Sequence, residues 1–230
     1  TQQDVYRIRY NVYCQEFKYE PAECFPHREE SDDFDQQSLH CLITHKPSRT
    51  PAGCVRLVSP TSQRNELPFE KYCSDSLDQA FIGQLELDRH TVCEVSRLAV
   101  DGAFRRRAGE GAPRYRDMAG LGYTKQERRA VALLSVACVL SATATTALTT
   151  RTNVFAMMEP SLPKLLQRFG LYFQRAGRDM DYHGWRAPYF ISCEWVLESM
   201  RADLRELYEA IFDKLKQDFP VDYRHFPKFI

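Results

Sequence analysis

The chain has no excess of either charge: 31 basic residues stand against 31 acidic ones in 230. That balance excludes a global field able to gather nucleic acid or an anionic membrane, so any charged partner must meet a local patch. Close cysteine pairs are missing as well. The eight cysteines, Cys14, Cys24, Cys41, Cys54, Cys73, Cys93, Cys138 and Cys193, fall singly, which argues against zinc sites and redox motifs and for buried, reduced thiols. No signal-peptide pattern opens the chain, and a reducing cytoplasm is the expected setting. Gly-x-Ser-x-Gly, a Cys/His pairing and His-x-x-x-His are all absent, which leaves covalent hydrolase and zinc mechanisms little support and favours direct transfer. Internal repeats and low-complexity tracts are lacking too. One uncharged stretch, Ala130 to Thr150, has the length of a membrane span. Its Ala and Thr content, and the Thr124-x-x-Glu127 capping box before it, mark instead a helix buried inside a protein.

What is present reads as one α/β domain. The 43% hydrophobic content permits one full-sized core or at most two small ones, and one domain is the better reading. From Asp4 to Tyr13, Val5, Ile8 and Val12 recur at helical spacing. Glu20 to Gln37 carries Pro21, Pro26 and five carboxylates between Glu29 and Asp35, and reads as a loop. Leu39–Thr44 and Gly53–Val58 read as strands joined by a turn, followed by a polar, irregular segment and a third strand, Val92 to Val100. After the Ala/Thr helix come a strand at Asn153–Met158, a short helix at Ser161–Phe169 stopped by Gly170, and strands at Leu171–Gln174 and Tyr189–Val196. From Leu197 onward Met200, Leu204, Leu207, Ile211 and Leu215 mark a final amphipathic helix.

Three constellations could carry chemistry. In Glu94-Val95-Ser96-Arg97, strand alternation points Glu94 and Ser96 one way and Arg97 the other. A carboxylate beside a hydroxyl can bind an amine or relay its proton; a buried ion pair between Glu94 and Arg56 is the competing reading. Asp32-Asp33-Phe34-Asp35 could face an ammonium or an arginine, or be a solvated loop; it lacks the ligand count and glycine of a calcium loop. Between Arg105 and Arg129, eight basic residues (Arg105, Arg106, Arg107, Arg114, Arg116, Lys125, Arg128, Arg129) outnumber three acidic ones. Placed after a strand, this segment suits the phosphates of a carrier or an acidic carrier protein. Nucleic acid and plain solvent are its rivals, although no aromatic-interleaved basic face accompanies it.

Four short motifs in order resemble a known family. Arg9-Tyr10-Asn11-Val12-Tyr13 is similar to the Arg-x-x-Val-Phe/Tyr of the acyl-homoserine-lactone (autoinducer) synthases and the related N-acyl amino acid synthases. Asp32-Asp33-Phe34-Asp35 looks like their Asp-x-x-Asp, Gly53-Cys54-Val55-Arg56-Leu57 their Gly-x-x-Arg-Leu, and Glu94-Val95-Ser96-Arg97 their Glu-x-Ser-Arg. Phe104-Arg105-Arg106-Arg107 and His183-Gly184-Trp185-Arg186-Ala187-Pro188-Tyr189 resemble segments of the PEP-CTERM/exosortase-associated acyltransferases. Lactone synthases carry a Trp shortly after the first-helix aromatic; here Phe17 and Tyr19 stand nearby, which favours an amino acid or other amine over S-adenosylmethionine as acceptor.

The resemblance implies the mixed sheet of the GCN5-related N-acetyltransferases, with splayed central strands, over residues 1–196, and a helical extension over 197–230. It implies a long-chain acyl thioester, on acyl carrier protein or coenzyme A, as co-substrate, with no tightly bound cofactor and no metal. The amine of a small acceptor would attack directly. Glu94, with Ser96, would take the proton, and a backbone N–H near Leu98 would hold the oxyanion. Arg9, Tyr13, Asp32, Asp35, Arg56 and Arg97 would organise the acceptor. Leu98, Ala99, Val100, Phe104, Arg105, Arg106, Arg107 and Gly109 would meet the donor, the last within an Arg106-x-x-Gly109-x-Gly111 loop. Phe155, Met157, Met158 and Phe169, with Leu165 and Leu166, are candidates for an acyl pocket or for ordinary core. The rival from another class is a protein of the same fold that binds an acyl ligand or carrier without turnover. Nucleic acid and an integral membrane span are not expected, although peripheral membrane contact is compatible with a long-chain product.

Overall fold

The computed structural model describes residues 1–104 and 125–219, with side chains for all of these except 125–132. The chain divides into two compact units. One comprises Thr1–Asp33, His40–Arg56 and Arg97–Val139; the other comprises Phe34–Leu39, Leu57–Ser96 and Leu140–Ile230.

Among the described residues seven strands form a mixed sheet: β1 (Ser38–His45), β2 (Thr50–Val58), β3 (Val92–Val100), β4 (Asn153–Met158), β5 (Gln174–Arg175), β6 (Met180–Asp181) and β7 (Trp185–Ser192). The order is β1-β2-β3-β4-β7-β5, with β6 pairing β7. β4 is registered antiparallel to β7 over all six of its residues, from Asn153↔Ser192 to Met158↔Ala187. Its parallel register with β3 covers three, from Val92↔Asn153 to Glu94↔Phe155. The registered β3–β4 pairs therefore end at Glu94.

In the first unit, α1 (Gln2–Arg9) begins at a Thr1 cap whose hydroxyl accepts the Asp4 N–H, satisfying one of the orphan donors of a helix start. The helix then widens into a π-helical run, Tyr10–Glu16, closed by Phe17 N–H donating to Val12 O at 3.0 Å. The helix expected over Asp4–Tyr13 is thus longer and changes form midway. Its apolar face, Val5, Ile8 and Val12, packs with Cys54 of β2 and Ala99 of β3. Gly53 permits this close approach: a Cβ at this position would lie 3.0 Å from Ala99 O, tighter than ordinary contact.

In the second unit, Phe34, Val58, Leu67, Phe69, Val92, Phe155, Ala176 and Phe190 form the core, with Phe69 stacked on Phe155 at 4.8 Å. The segment expected to be irregular between β2 and β3 holds two short helices, α2 (Pro68–Cys73) and α3 (Gln79–Gln84). Each starts from a local signal: Pro68 at the first position of α2, and the Asp78 cap accepting Phe81 N–H at 3.0 Å. With six residues apiece, they are too short for helical periodicity to show.

The Ala/Thr helix is α4 (Lys125–Leu148). Its buried hydroxyls bond backward, Thr145 to Ser141 O at 2.8 Å and Thr146 to Thr143 O at 2.7 Å, which is how such a polar helix tolerates burial. Among the described residues no helix is long and apolar enough to cross a membrane. α5 (Ser161–Gln167) follows β4 as expected.

Two strand expectations need correction. Leu171 is buried but not in a strand; pairing begins at Gln174 and lasts two residues. The last long strand runs Trp185–Ser192 rather than Tyr189–Val196, because Ser192 caps a new helix, α6 (Cys193–Ser199), by accepting the Trp195 N–H. The terminal helix α7 begins at Ala202 and runs to Asp218, burying Leu204 and Tyr208. The basic segment at 105–124 and the Thr124 cap lie outside the described residues.

Candidate active site

β3 supplies chemistry to both units, Glu94 and Ser96 to the second and Arg97 to the first. Arg97 sits at φ +52° in the middle of the strand. A non-glycine residue with positive φ is uncommon and costs of order 1–3 kcal/mol, and it is the conformation by which a bulged residue re-aims its side chain. The compensation is visible. Arg97 Nη2 donates to Asp32 Oδ2 at 3.0 Å and lies 3.6 Å from Glu20 Oε1, while its Nε donates to Glu30 Oε1 at 3.2 Å. Its guanidinium also lies 5.6 Å from the centre of the Tyr13 ring, within range of a cation–π contact.

The other arginines of the unit close the network. Arg9, with no exposed side-chain surface, donates Nε to Glu30 Oε2 at 2.5 Å; Glu30 is 1% exposed. Arg56, 1% exposed, donates Nη1 to Asp32 Oδ1 at 2.6 Å. Three guanidiniums thus face the carboxylates of Glu20, Glu30 and Asp32, with Glu30 bridging Arg9 to Arg97 and Asp32 bridging Arg56 to Arg97. Buried charges survive only when matched in this way. The Arg9–Glu30 half is sealed, whereas Arg97, Glu20 and Asp32 keep 15%, 22% and 24% of their side-chain surface exposed. This half-buried rim presents both signs of charge.

Tyr13 donates its hydroxyl to Leu98 O at 2.9 Å, tying the π-helix to β3. Tyr19 stacks on Phe17 at 5.4 Å and lies 6.3 Å from Tyr13.

In the second unit Glu94 is 3% exposed, and its Oε2 accepts the Phe69 N–H at 2.7 Å. Ser96 is half-buried two residues on. Cys73, in the same helix as Phe69, has its thiol pushed up to about 12 by burial and then by the Glu94 charge. Asp35 is buried at the start of a 3₁₀ turn, Asp35–Gln37.

The structure therefore gathers four expected acceptor residues, Arg9, Asp32, Arg56 and Arg97, with Tyr13 against Arg97. Arg56 pairs with Asp32. Glu30 and Glu20 complete the network, and no sequence pattern singles them out. Of the donor residues, Ala99 and Val100 are buried, Leu98 is half-buried, and Phe104 packs edge-on against His45 at 5.4 Å. Arg105, Arg106, Arg107 and Gly109 lie outside the described residues. Strand alternation separates the acyl-pocket candidates: Phe155 and Met157 join the aromatic core, whereas Met158 lies on the other face of β4. Phe169 and Leu165 are half-buried, Leu166 fully buried. Among the described residues no group of three or more His, Cys, Asp or Glu side chains could hold a metal ion.

Residues 8–112 match the family model of the acetyltransferase (GNAT) domain. TofI, solved in a ternary complex with an inhibitor and MTA, superposes with a TM-score of 0.59 at 17% identity, covering 83% of each chain. The fold is that of the GCN5-related N-acetyltransferases. BjaI, a CoA-dependent acyl-homoserine lactone synthase solved with SAM and isopentyl-CoA, gives a TM-score of 0.58 at 16% identity over 93% of this chain and 81% of its own. MesI, also a CoA-dependent acyl-homoserine lactone synthase, gives 0.55 at 19% identity over 89% and 85%. No curated protein matches the chain by sequence. On this fold the strand with a positive-φ residue in its middle is β3, and the parallel pair whose register stops short is β3–β4.

Proposed function

We propose that the chain is an N-acyltransferase that moves a long-chain fatty acyl group from a thioester, on acyl carrier protein or coenzyme A, to the amine of an amino acid. The observation that carries this reading is the rim of Arg97, Glu20 and Asp32, anchored to a fully buried Arg9–Glu30 pair. A zwitterion offers one carboxylate and one ammonium, and a half-buried rim bearing a guanidinium and two carboxylates is complementary to both. The stacked Phe17 and Tyr19 in place of a tryptophan support an amino acid over S-adenosylmethionine.

Glu94, three residues before Arg97, would accept the amine proton, with Ser96 as relay. The neutral amine then attacks the thioester carbonyl: the C–N bond forms, the C–S bond breaks, and the thiol leaves with a proton. A backbone N–H near the Arg97 kink would hold the oxyanion, since preorganised N–H groups stabilise developing charge without reorganisation. Leu98–Val100, Phe104 and the Arg105–Arg107 and Gly109 segment would meet the pantetheine and phosphates of the donor. Phe169, with residues of β4, would lie along the acyl chain. The likeness of His183–Tyr189 to exosortase-associated segments supports placing the chain with that group, working on cytoplasmic pools with peripheral membrane contact.

The test is mass spectrometry of lipid extracts from cells expressing the protein and, separately, Glu94→Gln. Long-chain N-acyl amino acids present only with the unaltered chain are expected. Their absence from cells containing folded protein, together with tight binding of acyl carriers by the purified chain, would favour the non-catalytic binding reading.

A further inference from the structure

The placement of Glu94 depends on a chain of contacts that begins at the protein surface. Its carboxylate Oε2 accepts the Phe69 N–H, the first N–H of α2. N–H groups in the first turn of a helix have no partner within it; Pro68 has none to offer, and that of Phe69 points out of the helix at the carboxylate. What fixes this turn is Glu70. Its Oε2 accepts the Leu67 N–H at 2.8 Å, and its two oxygens receive Arg89 Nη1 at 2.5 Å and Nη2 at 2.6 Å. Arg89 also donates Nε to Asn65 Oδ1 at 3.2 Å and Nη2 to Asn65 O, gripping the segment that leads into α2.

Arg89 opens the 3₁₀ turn Arg89–Thr91 that runs directly into β3, five residues before Glu94. That turn is fixed in its own right, with Asp88 accepting the His90 N–H at 2.9 Å and the Thr91 N–H at 2.9 Å. A loop from residue 65 to residue 94 is thereby tied at both ends: Arg89 holds Glu70, and Phe69 holds Glu94. The Phe69 ring cannot rotate away, being 3% exposed and stacked on Phe155. All of these contacts lie within the second unit.

We infer that Arg89 and Glu70 are positioning residues for the transfer reaction, acting through the first turn of α2 to aim the Phe69 N–H and fix the Glu94 carboxylate. This rests on the reading of Glu94 as the base. Most exposed ion pairs contribute little, but a bidentate Arg–carboxylate pair with further hydrogen bonds is the exception. An N–H donated to a carboxylate favours its charged form, so loosening that bond has a directional effect on a base. It makes the carboxylate harder to ionise and less well aimed.

The test compares Glu70→Ala, Arg89→Met, Arg89→Lys and Glu94→Gln, using thiol release from palmitoyl-CoA with the acceptor identified by lipid profiling, and amide hydrogen exchange over residues 65–96. Glu70→Ala and Arg89→Met should each lower kcat roughly tenfold, as expected for weakening one hydrogen bond to a charged group. KM for the donor should hold, and the acidic limb of the kcat profile should move to higher pH. Phe69 amide exchange should accelerate while that of Val92–Glu94 keeps its protection, which general loosening of the unit would not reproduce. Arg89→Lys, which keeps the charge, should recover part of the rate and serves if Glu70→Ala does not fold. Unchanged kcat, pH profile and Phe69 exchange in Arg89→Met, beside an inactive Glu94→Gln, would overturn the clamp and leave the base in place. A fully active Glu94→Gln would overturn the base itself.

Discussion

Replacing Glu30 by glutamine tests the charge network where it is least forgiving. Glu30 is 1% exposed and bridges Arg9, at 2.5 Å, to Arg97, at 3.2 Å. Arg97 keeps Asp32 and a partly wetted edge after the change. Arg9 has no exposed side-chain surface. The variant therefore sets a fully buried guanidinium opposite a neutral amide at this contact, and breaking one side of a buried pair costs about 3–5 kcal/mol. Against a typical total of roughly 5–15 kcal/mol, that is a large share. With a urea slope of about 2 kcal/mol/M the midpoint should fall by about 2 M.

Both tryptophans, Trp185 and Trp195, belong to the second unit, so their fluorescence does not report on this site directly. Far-UV circular dichroism and amide exchange over Val5–Val12 do. Glu29→Gln is the control: its pair with Arg7, at 3.2 Å, has side chains 24% and 57% exposed, and its loss should cost under about 1 kcal/mol. A further variant, Arg9→Met with Glu30→Leu, removes both charges and should regain most of the stability lost by Glu30→Gln, since apolar replacement of a buried pair is often close to neutral. If Glu30→Gln costs no more than Glu29→Gln, or if the double change is as damaging as the single one, the argument from a broken buried pair is wrong.

Thiol titration with Ellman's reagent at pH 8 should find about one reactive cysteine in the folded chain and eight after denaturation, because Cys24 is exposed and the other seven are buried. Burial pushes Cys14 up to about 11 and Cys54 and Cys73 up to about 12, so the reactive thiolate is scarce at those positions. The same shifts predict alkaline lability. A thiol near 9 in the unfolded chain and near 12 in the folded one contributes stability in full below pH 9. That stability declines as the pH rises from 9 to 12, by about 1.4 kcal/mol per pH unit for each such thiol. Urea midpoints constant from pH 7 to 8.5 and falling steeply above pH 9.5 are expected; a flat profile to pH 11 would contradict the burial. Gly177→Ala should destabilise the second unit by about 1–3 kcal/mol or more, since the added Cβ would lie 2.0 Å from Ser76 O and 2.7 Å from Pro188 Cγ. Tryptophan fluorescence reads this loss, and a wild-type midpoint would refute it.

Much of the fold was legible because long elements announce themselves. β3 and β4 begin and end where their patterns do, and the Ala/Thr helix was recognised as buried despite its uncharged length. The errors fall on short elements and at junctions. Two-residue strands such as Gln174–Arg175 exist only through their partner β7, and no local pattern encodes them. Ser192 reads equally well as a strand residue or a helix cap; that it caps α6 is a tertiary fact. Of the candidate site, the arginines were legible and one decisive carboxylate was not. Five acids crowd between Glu29 and Asp35 with no periodicity to show which turns inward. Glu29 stays at the rim with Arg7 while its neighbour Glu30 is sealed against Arg9.

The same limit explains why alternation along β3 could not place Arg97. In a regular strand Glu94 and Ser96 share a face and Arg97 takes the other, and that rule carries through to Val100. Glycine normally signals a break in it, because only glycine enters the left-handed region without cost. Here an arginine at φ +52° does so, and no glycine marks the place. Its conformation is held by what the side chain reaches, Glu20, Glu30 and Asp32, and by the Tyr13 hydroxyl on the next carbonyl. The kink and the ion network are therefore interdependent. Truncating the Arg97 side chain removes the contacts that offset the strain, so Arg97→Gly should keep the kink more readily than Arg97→Ala, which restores an ordinary preference for negative φ. If fold stability ranks Ala above Gly at this position, the strand does not need the kink and the network merely decorates it.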